Sequence, residues 1–147
     1  MKIATTTDAA GPPQSTGRPS RVLLMLGSNV DAEQQLDAAT RLLDQQFGVI
    51  ARSGRHWTAA AGSAEAPAYL NQALVIRTEL DRDPLRELLR SVESQLGRRR
   101  PSPQPGLCPI DIDAVGRWLP TFEVWDTKSY TAQYAQRPLR DIAPEGI

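Results

Sequence analysis

The apolar positions of the chain fall into six short stretches of alternating period. Arg21 to Leu26 is a continuous apolar run closed by Gly27-Ser28-Asn29, which predicts a buried first strand and a tight turn. Asp31 followed by Gln34 has the spacing of a capping box. Leu36, Ala39, Leu42 and Leu43 then recur at helical spacing, so a first helix is expected to reach about Gln46. Gly48 to Thr58 reads as a second strand with a polar break at Ser53-Gly54, and Ala59 to Pro67 as a surface loop. Leu70 to Leu80, around Leu74-Val75-Ile76, reads as a third strand.

The second helix has the fullest set of signals. Asp83 is placed to cap it, Pro84 suits its first position and Gly97 its end. Leu85, Leu88, Leu89, Val92 and Leu96 make one apolar stripe, with Glu93 off it. Arg98 to Gly106 carries three prolines and is expected to be a mobile loop. A last strand follows at Ile110-Asp111-Ile112-Asp113. The aromatics between Trp118 and Tyr134 suit either a hairpin or a cover for the sheet edge, and Pro138 to Pro144 a short closing segment. Residues 1–20 have no hydrophobic period and read as a disordered leader, with a single domain over 21–147. Strand, helix, strand, strand, helix, strand is the order of a ferredoxin-like βαββαβ sandwich, an α+β fold with an antiparallel sheet and helices on one face.

Composition narrows the function classes. The chain has 147 residues with 17 basic and 17 acidic side chains, so no net charge draws it to nucleic acid or an acidic membrane. Its apolar runs are too short to span a bilayer. The single cysteine, Cys108, allows no internal disulfide, and without a signal peptide a cytoplasmic location is expected. Cys108 reads as a small strand-entry residue. One histidine, His56, and one cysteine exclude a thiol–imidazole zinc cluster, so any metal would be hard and oxygen-bound.

Asp111 and Asp113 are the residues whose pattern carries chemistry unaided. Alternation sends both isoleucines to one face of the strand and both carboxylates to the other, roughly 7 Å apart. Two carboxylates with arginines close in sequence suit a divalent metal and a polyphosphate, because magnesium takes one or two carboxylates and completes its shell with phosphate and water. The plainer alternative is a strand with a solvated acidic face.

Five segments in order then resemble the hydroxymethyldihydropterin pyrophosphokinases of folate biosynthesis. They are Gly27-Ser28-Asn29, Tyr69-Leu70-Asn71, the Glu93…Gly97-Arg98-Arg99-Arg100 helix end, Asp111-Ile112-Asp113, and Pro138 to Pro144. The resemblance implies transfer of the terminal diphosphate of ATP to the hydroxymethyl group of a reduced pterin, giving AMP. It implies two magnesium ions at Asp111 and Asp113, with Arg98 acting in catalysis beside them. Arg98, Arg100 and Glu93 would serve the nucleotide, and Thr58, Asn71 and Tyr134 the pterin. A monomer with pterin and ATP as its only partners is expected.

The chain also departs from the family. Pro105-Gly106-Leu107-Cys108 stands where a W-G-P-R segment is usual, removing a capping tryptophan and an arginine that assists transfer. Trp125-Asp126 replaces a Pro-His, Ala132 an arginine, and Ala59-Ala60 a double proline. These changes leave open a second reading, a family member that binds pterin or nucleotide without turnover. An RNA-binding ferredoxin-like domain is disfavoured, since the strands lack paired exposed aromatics and the chain is neutral.

Overall fold

The computed structural model describes residues 15–60 and 65–142. Strand β1 (Ser15–Ser28) is the central strand, hydrogen-bonded to β4 (Tyr69–Leu80) on one side and β5 (Asp111–Trp118) on the other. The sheet order is β2-β4-β1-β5-β6, with β2 (Val49–Arg52) and β3 (His56–Thr58) sharing β4 and β6 (Phe122–Val124) closing the far edge. Every pairing is antiparallel. Helices α1 (Ala32–Gln46) and α2 (Arg82–Gln95) occupy the two crossovers, as the element order requires.

The central strand is apolar on both faces. Val22, Leu24 and Leu26 pack with Leu36 and Leu43 of α1 and with Leu85, Leu89 and Val92 of α2. Leu23 and Met25 point the other way, into a second cluster with Val115, Trp118, Ala135 and Leu139. This second face is covered by α3 (Thr127–Thr131), a 3-10 turn (Gln133–Ala135) and α4 (Gln136–Ile142). The long helices thus share one face, as expected, and the closing segment covers much of the other. Five- and seven-residue helices carry too little periodicity to be seen in sequence.

The aromatic stretch forms a hairpin and covers the sheet at once. Phe122 lies 4.7 Å from Trp118 and 5.9 Å from Tyr130, ring centre to ring centre. Gly116 allows that approach, because a Cβ there would sit 2.6 Å from the Glu123 carbonyl oxygen.

Several local expectations are corrected. Strand β1 begins at Ser15, inside the stretch read as leader, because its start pairs with the end of β4; residues 1–14 lie outside the described residues. Asp31 forms no capping box: it adopts a left-handed conformation (φ 48°) and makes no side-chain cap, while its carbonyl accepts from Gln35. The cap residue of α2 is Asp81, two residues before Asp83, and its carboxylate turns to Arg117 at 3.8 Å instead of capping. Glu93 is on the buried face of α2, not off it. Among the described residues no helix is long and apolar enough to cross a membrane.

Candidate functional site

The site grows from Gly27. In the sheet it pairs with Asn71 of β4 on one side and Asp111 of β5 on the other, so three distant segments meet at one strand end. Asp111 and Asp113 follow the parity of Gly27 and Met25, whereas Ile110 and Ile112 are buried under the long helices. The alternation read from sequence is therefore realised, and both carboxylates stand on the face that α3 and α4 cover only in part.

On the β4 side, Asn71 is buried and donates to Thr58 Oγ1 at 2.8 Å and to the His56 carbonyl at 3.3 Å. Pairing of β3 with β4 brings these residues into register. A Cβ on Gly27 would lie 3.1 Å from Asn71 Oδ1 and 3.4 Å from the Tyr69 ring, so the glycine keeps the floor open. The result is a cavity of about 270 Å³ whose walls include Thr58, Asn71, Tyr134, Arg98, Cys108 and Asp111. All three residues expected at the pterin thus share one pocket with the first aspartate.

On the β5 side the end of α2 sets the geometry. Gly97 has φ 102°, and the N–H groups of Gly97 and Arg98 return to the carbonyls of Ser94 and Glu93 in a Schellman ending. That ending aims Arg98 at β5, where it donates to Asp111 Oδ1 at 2.7 Å and to the Ile110 carbonyl at 3.1 Å. The buried Glu93 carboxylate accepts from Arg100 at 3.0 Å and from the Ile112 N–H at 2.7 Å. That N–H lies on the stretch of β5 that β6 leaves unpaired, since β6 covers only Gly116 to Trp118. A buried carboxylate is tolerable here because guanidinium groups and an N–H surround it.

Asp113 lies beyond this pair, in a second cleft of about 100 Å³ with Glu93, Arg100, Ala114 and Asp126. Burial, and then Asp111 beside it, hold its carboxyl well above the usual carboxylate range. Hard oxygen donors side by side, with like charge crowding Asp113, are what a divalent cation neutralises, so the pair fits magnesium chemically. Among the described residues no group of three or more His, Cys, Asp or Glu could hold an ion.

Three positions that depart from the resembled pattern, Cys108, Trp125 and Asp126, have local contacts of their own. Burial pushes the Cys108 thiol up, and nearby Arg98 offsets this only in part, so a neutral group stands on that wall. Asp126 caps α3, accepting Ser129 N–H at 3.2 Å and Ser129 Oγ–H at 2.8 Å. Trp125 lies under the Arg117 guanidinium at 5.1 Å and donates to Glu123. Burial also raises the Tyr134 phenol, which stays protonated in the pocket.

Asn29 has a part that sequence reasoning did not assign. Its amide donates to the carbonyls of Gly106 (2.8 Å) and Pro67 (3.3 Å), and its Oδ1 accepts the Cys108 N–H at 2.7 Å. The signal was present in Gly27-Ser28-Asn29, where an asparagine after a strand suits such side-chain to backbone bonds.

No curated protein matches the chain. Residues 23–144 match the family described as 7,8-dihydro-6-hydroxymethylpterin-pyrophosphokinase. With the aspartate strand, the arginine loop and the Asn71 pocket all inside that span, the chain belongs to the 7,8-dihydro-6-hydroxymethylpterin-pyrophosphokinase family.

Proposed function

We propose that the chain transfers the terminal diphosphate of ATP to the hydroxymethyl group of 6-hydroxymethyl-7,8-dihydropterin. The observation that carries this reading is the division of labour along β5. Asp111 lines the pocket with Thr58, Asn71 and Tyr134, while Asp113, two residues on, lines the neighbouring cleft with Arg100. A ligand in the pocket and a phosphate chain in the cleft would meet over the two carboxylates.

In the reaction, the pterin hydroxyl oxygen bonds to the β-phosphorus, the bridge between the α- and β-phosphates breaks, and AMP leaves with one proton released. Asn71 and Thr58 offer hydrogen bonds to the polar edge of the pterin, and Tyr134 offers its ring. Arg98 and Arg100 offer guanidinium forks to phosphate oxygens, and Arg98 is already fixed by Asp111. Asp111 and Asp113 would hold the two magnesium ions that accompany ATP, which when bound offset phosphate charge. Catalysis of this type rests on positioning and on neutralising developing charge. Glu93, committed to Ile112 and Arg100, acts as a positioning residue for both aspartates and the loop.

A second reading rests on Cys108. With a neutral thiol at the wall where the family carries an arginine, the pocket would keep the pterin and lose the reaction. AMP formation from ATP, magnesium and the pterin separates the two. Turnover that requires the pterin and disappears in Asp111→Ala/Asp113→Ala supports the diphosphokinase. Pterin binding without AMP supports the second reading.

A further inference from the structure

Three arginines, Arg82, Arg86 and Arg90, lie four residues apart on α2 and line the same cleft as Asp113. The spacing puts them on one helix face, a row about 12 Å long at 1.5 Å per residue. All three are exposed, and among the described residues none of their side chains has an ion pair or hydrogen bond. Of the three acids of the cleft, Glu93 holds Arg100 and Ile112 and Asp126 holds Ser129, which leaves Asp113 facing the row.

The row carries a local electrostatic cost, offset in part by Asp83 and Glu87, each three residues before Arg86 and Arg90 and on the same surface. Arg82–Arg86 and Arg86–Arg90 are like-charge pairs at i,i+4, which weaken a helix. Arg82 also opens α2, where the macrodipole favours acids over bases. Unpaired guanidinium groups beside an aspartate that suits a metal make a cationic wall opposite a phosphate-directed centre. Such forks match phosphate oxygens two at a time.

We infer that Arg86 and Arg90, extended by Arg82, form a phosphate-binding rail that carries the magnesium-bound polyphosphate of the nucleotide beyond Asp113. The inference rests on the diphosphokinase reading and adds its missing part: charge absent at Cys108 and Ala132 is supplied from α2.

The test is titration calorimetry of the full chain with magnesium and α,β-methylene-ATP, whose α–β bridge cannot be broken, alongside pterin binding. Arg86→Gln/Arg90→Gln is expected to weaken analogue binding at least tenfold and to flatten its salt dependence, with pterin affinity unchanged. Arg86→Lys/Arg90→Lys, which keeps the charge, is expected to stay within a few-fold of the parent, and Arg41→Gln on α1 to change nothing. Circular dichroism checks that α2 persists; if the glutamine pair unfolds, loss of analogue binding in the folded Arg90→Gln single variant is the equivalent result. Analogue binding that responds to Asp111→Ala/Asp113→Ala but not to the glutamine variants overturns the rail and leaves the diphosphokinase reading standing. A parent chain that binds pterin but no analogue overturns both.

Discussion

The Glu93 carboxylate takes the N–H of Ile112 at 2.7 Å, so the end of α2 is tied to the one residue that separates the two aspartates. The other oxygen holds Arg100 at 3.0 Å. Glu93→Ala would strand a buried N–H and release the arginine loop. A loss of about 2 kcal/mol in urea denaturation is expected, the cost of an unsatisfied buried donor. Nucleotide affinity should fall with it. Stability within a few tenths of a kcal/mol of the parent would refute this role.

Gly27 sets the depth of the pocket. A methyl group there would meet Asn71 Oδ1 at 3.1 Å and the Tyr69 ring at 3.4 Å. Gly27→Ala is expected to weaken pterin binding by on the order of tenfold, about 1.4 kcal/mol, with the fold retained. Equal affinity in a fluorescence titration would show that the pterin does not use this floor.

Asp111→Ala/Asp113→Ala is expected to abolish magnesium-dependent nucleotide binding without loss of thermal stability. Removing Asp113 relieves a buried charge that the metal-free fold disfavours, which offsets the loss of the Arg98 contact to Asp111. Magnesium-dependent binding that survives in this variant would remove the metal assignment.

Cys108→Arg tests the second reading. The side chain already faces the cavity that holds Arg98 and Asp111. A restored guanidinium is expected to raise the rate of AMP formation on the order of tenfold or more. No gain would mean that this position does not limit the reaction.

His56 and Asp141 join β3 to α4 through a 2.7 Å contact. The hydrogen bond from His56 holds the Asp141 carboxyl below its ordinary range. A depressed carboxylate pKa stabilises the fold above the unfolded value, about 3.9, and the effect is lost as pH falls through the folded value. Asp141→Asn should therefore be less stable than the parent at pH 6 and converge with it in strong acid. A gap that persists unchanged at low pH would exclude this linkage.

Much of the fold and part of the site could be read from residue order. Asp111 and Asp113 were legible because period two is unambiguous when only Ile and Asp alternate. Leu85, Leu89 and Val92 likewise identified the face of α2. Glu93 was misread because it lies beside Val92 at the edge of the stripe, and its burial depends on Ile112 and Arg100, contacts remote in sequence. Asp31 and Gln34 had a capping-box spacing, yet Asp31 is left-handed and makes no side-chain cap. Asp126 and Ser129 carried a real cap that was hidden among aromatics. The arginine row on α2 reads as a solvated face until the fold sets it beside Asp113.

Asn29 joins Pro67, 38 residues away, to the stretch from Gly106 to Cys108, 77 to 79 residues away. Order on the two sides is therefore a shared quantity: whatever firms one strut firms the other. Aspartate at this position would keep the acceptor and lose both donors, so no near-isosteric acid can replace it. One amide makes two segments, one of them ending at Cys108 on the cavity wall, into a single mechanical part, so a change that loosened one would loosen both.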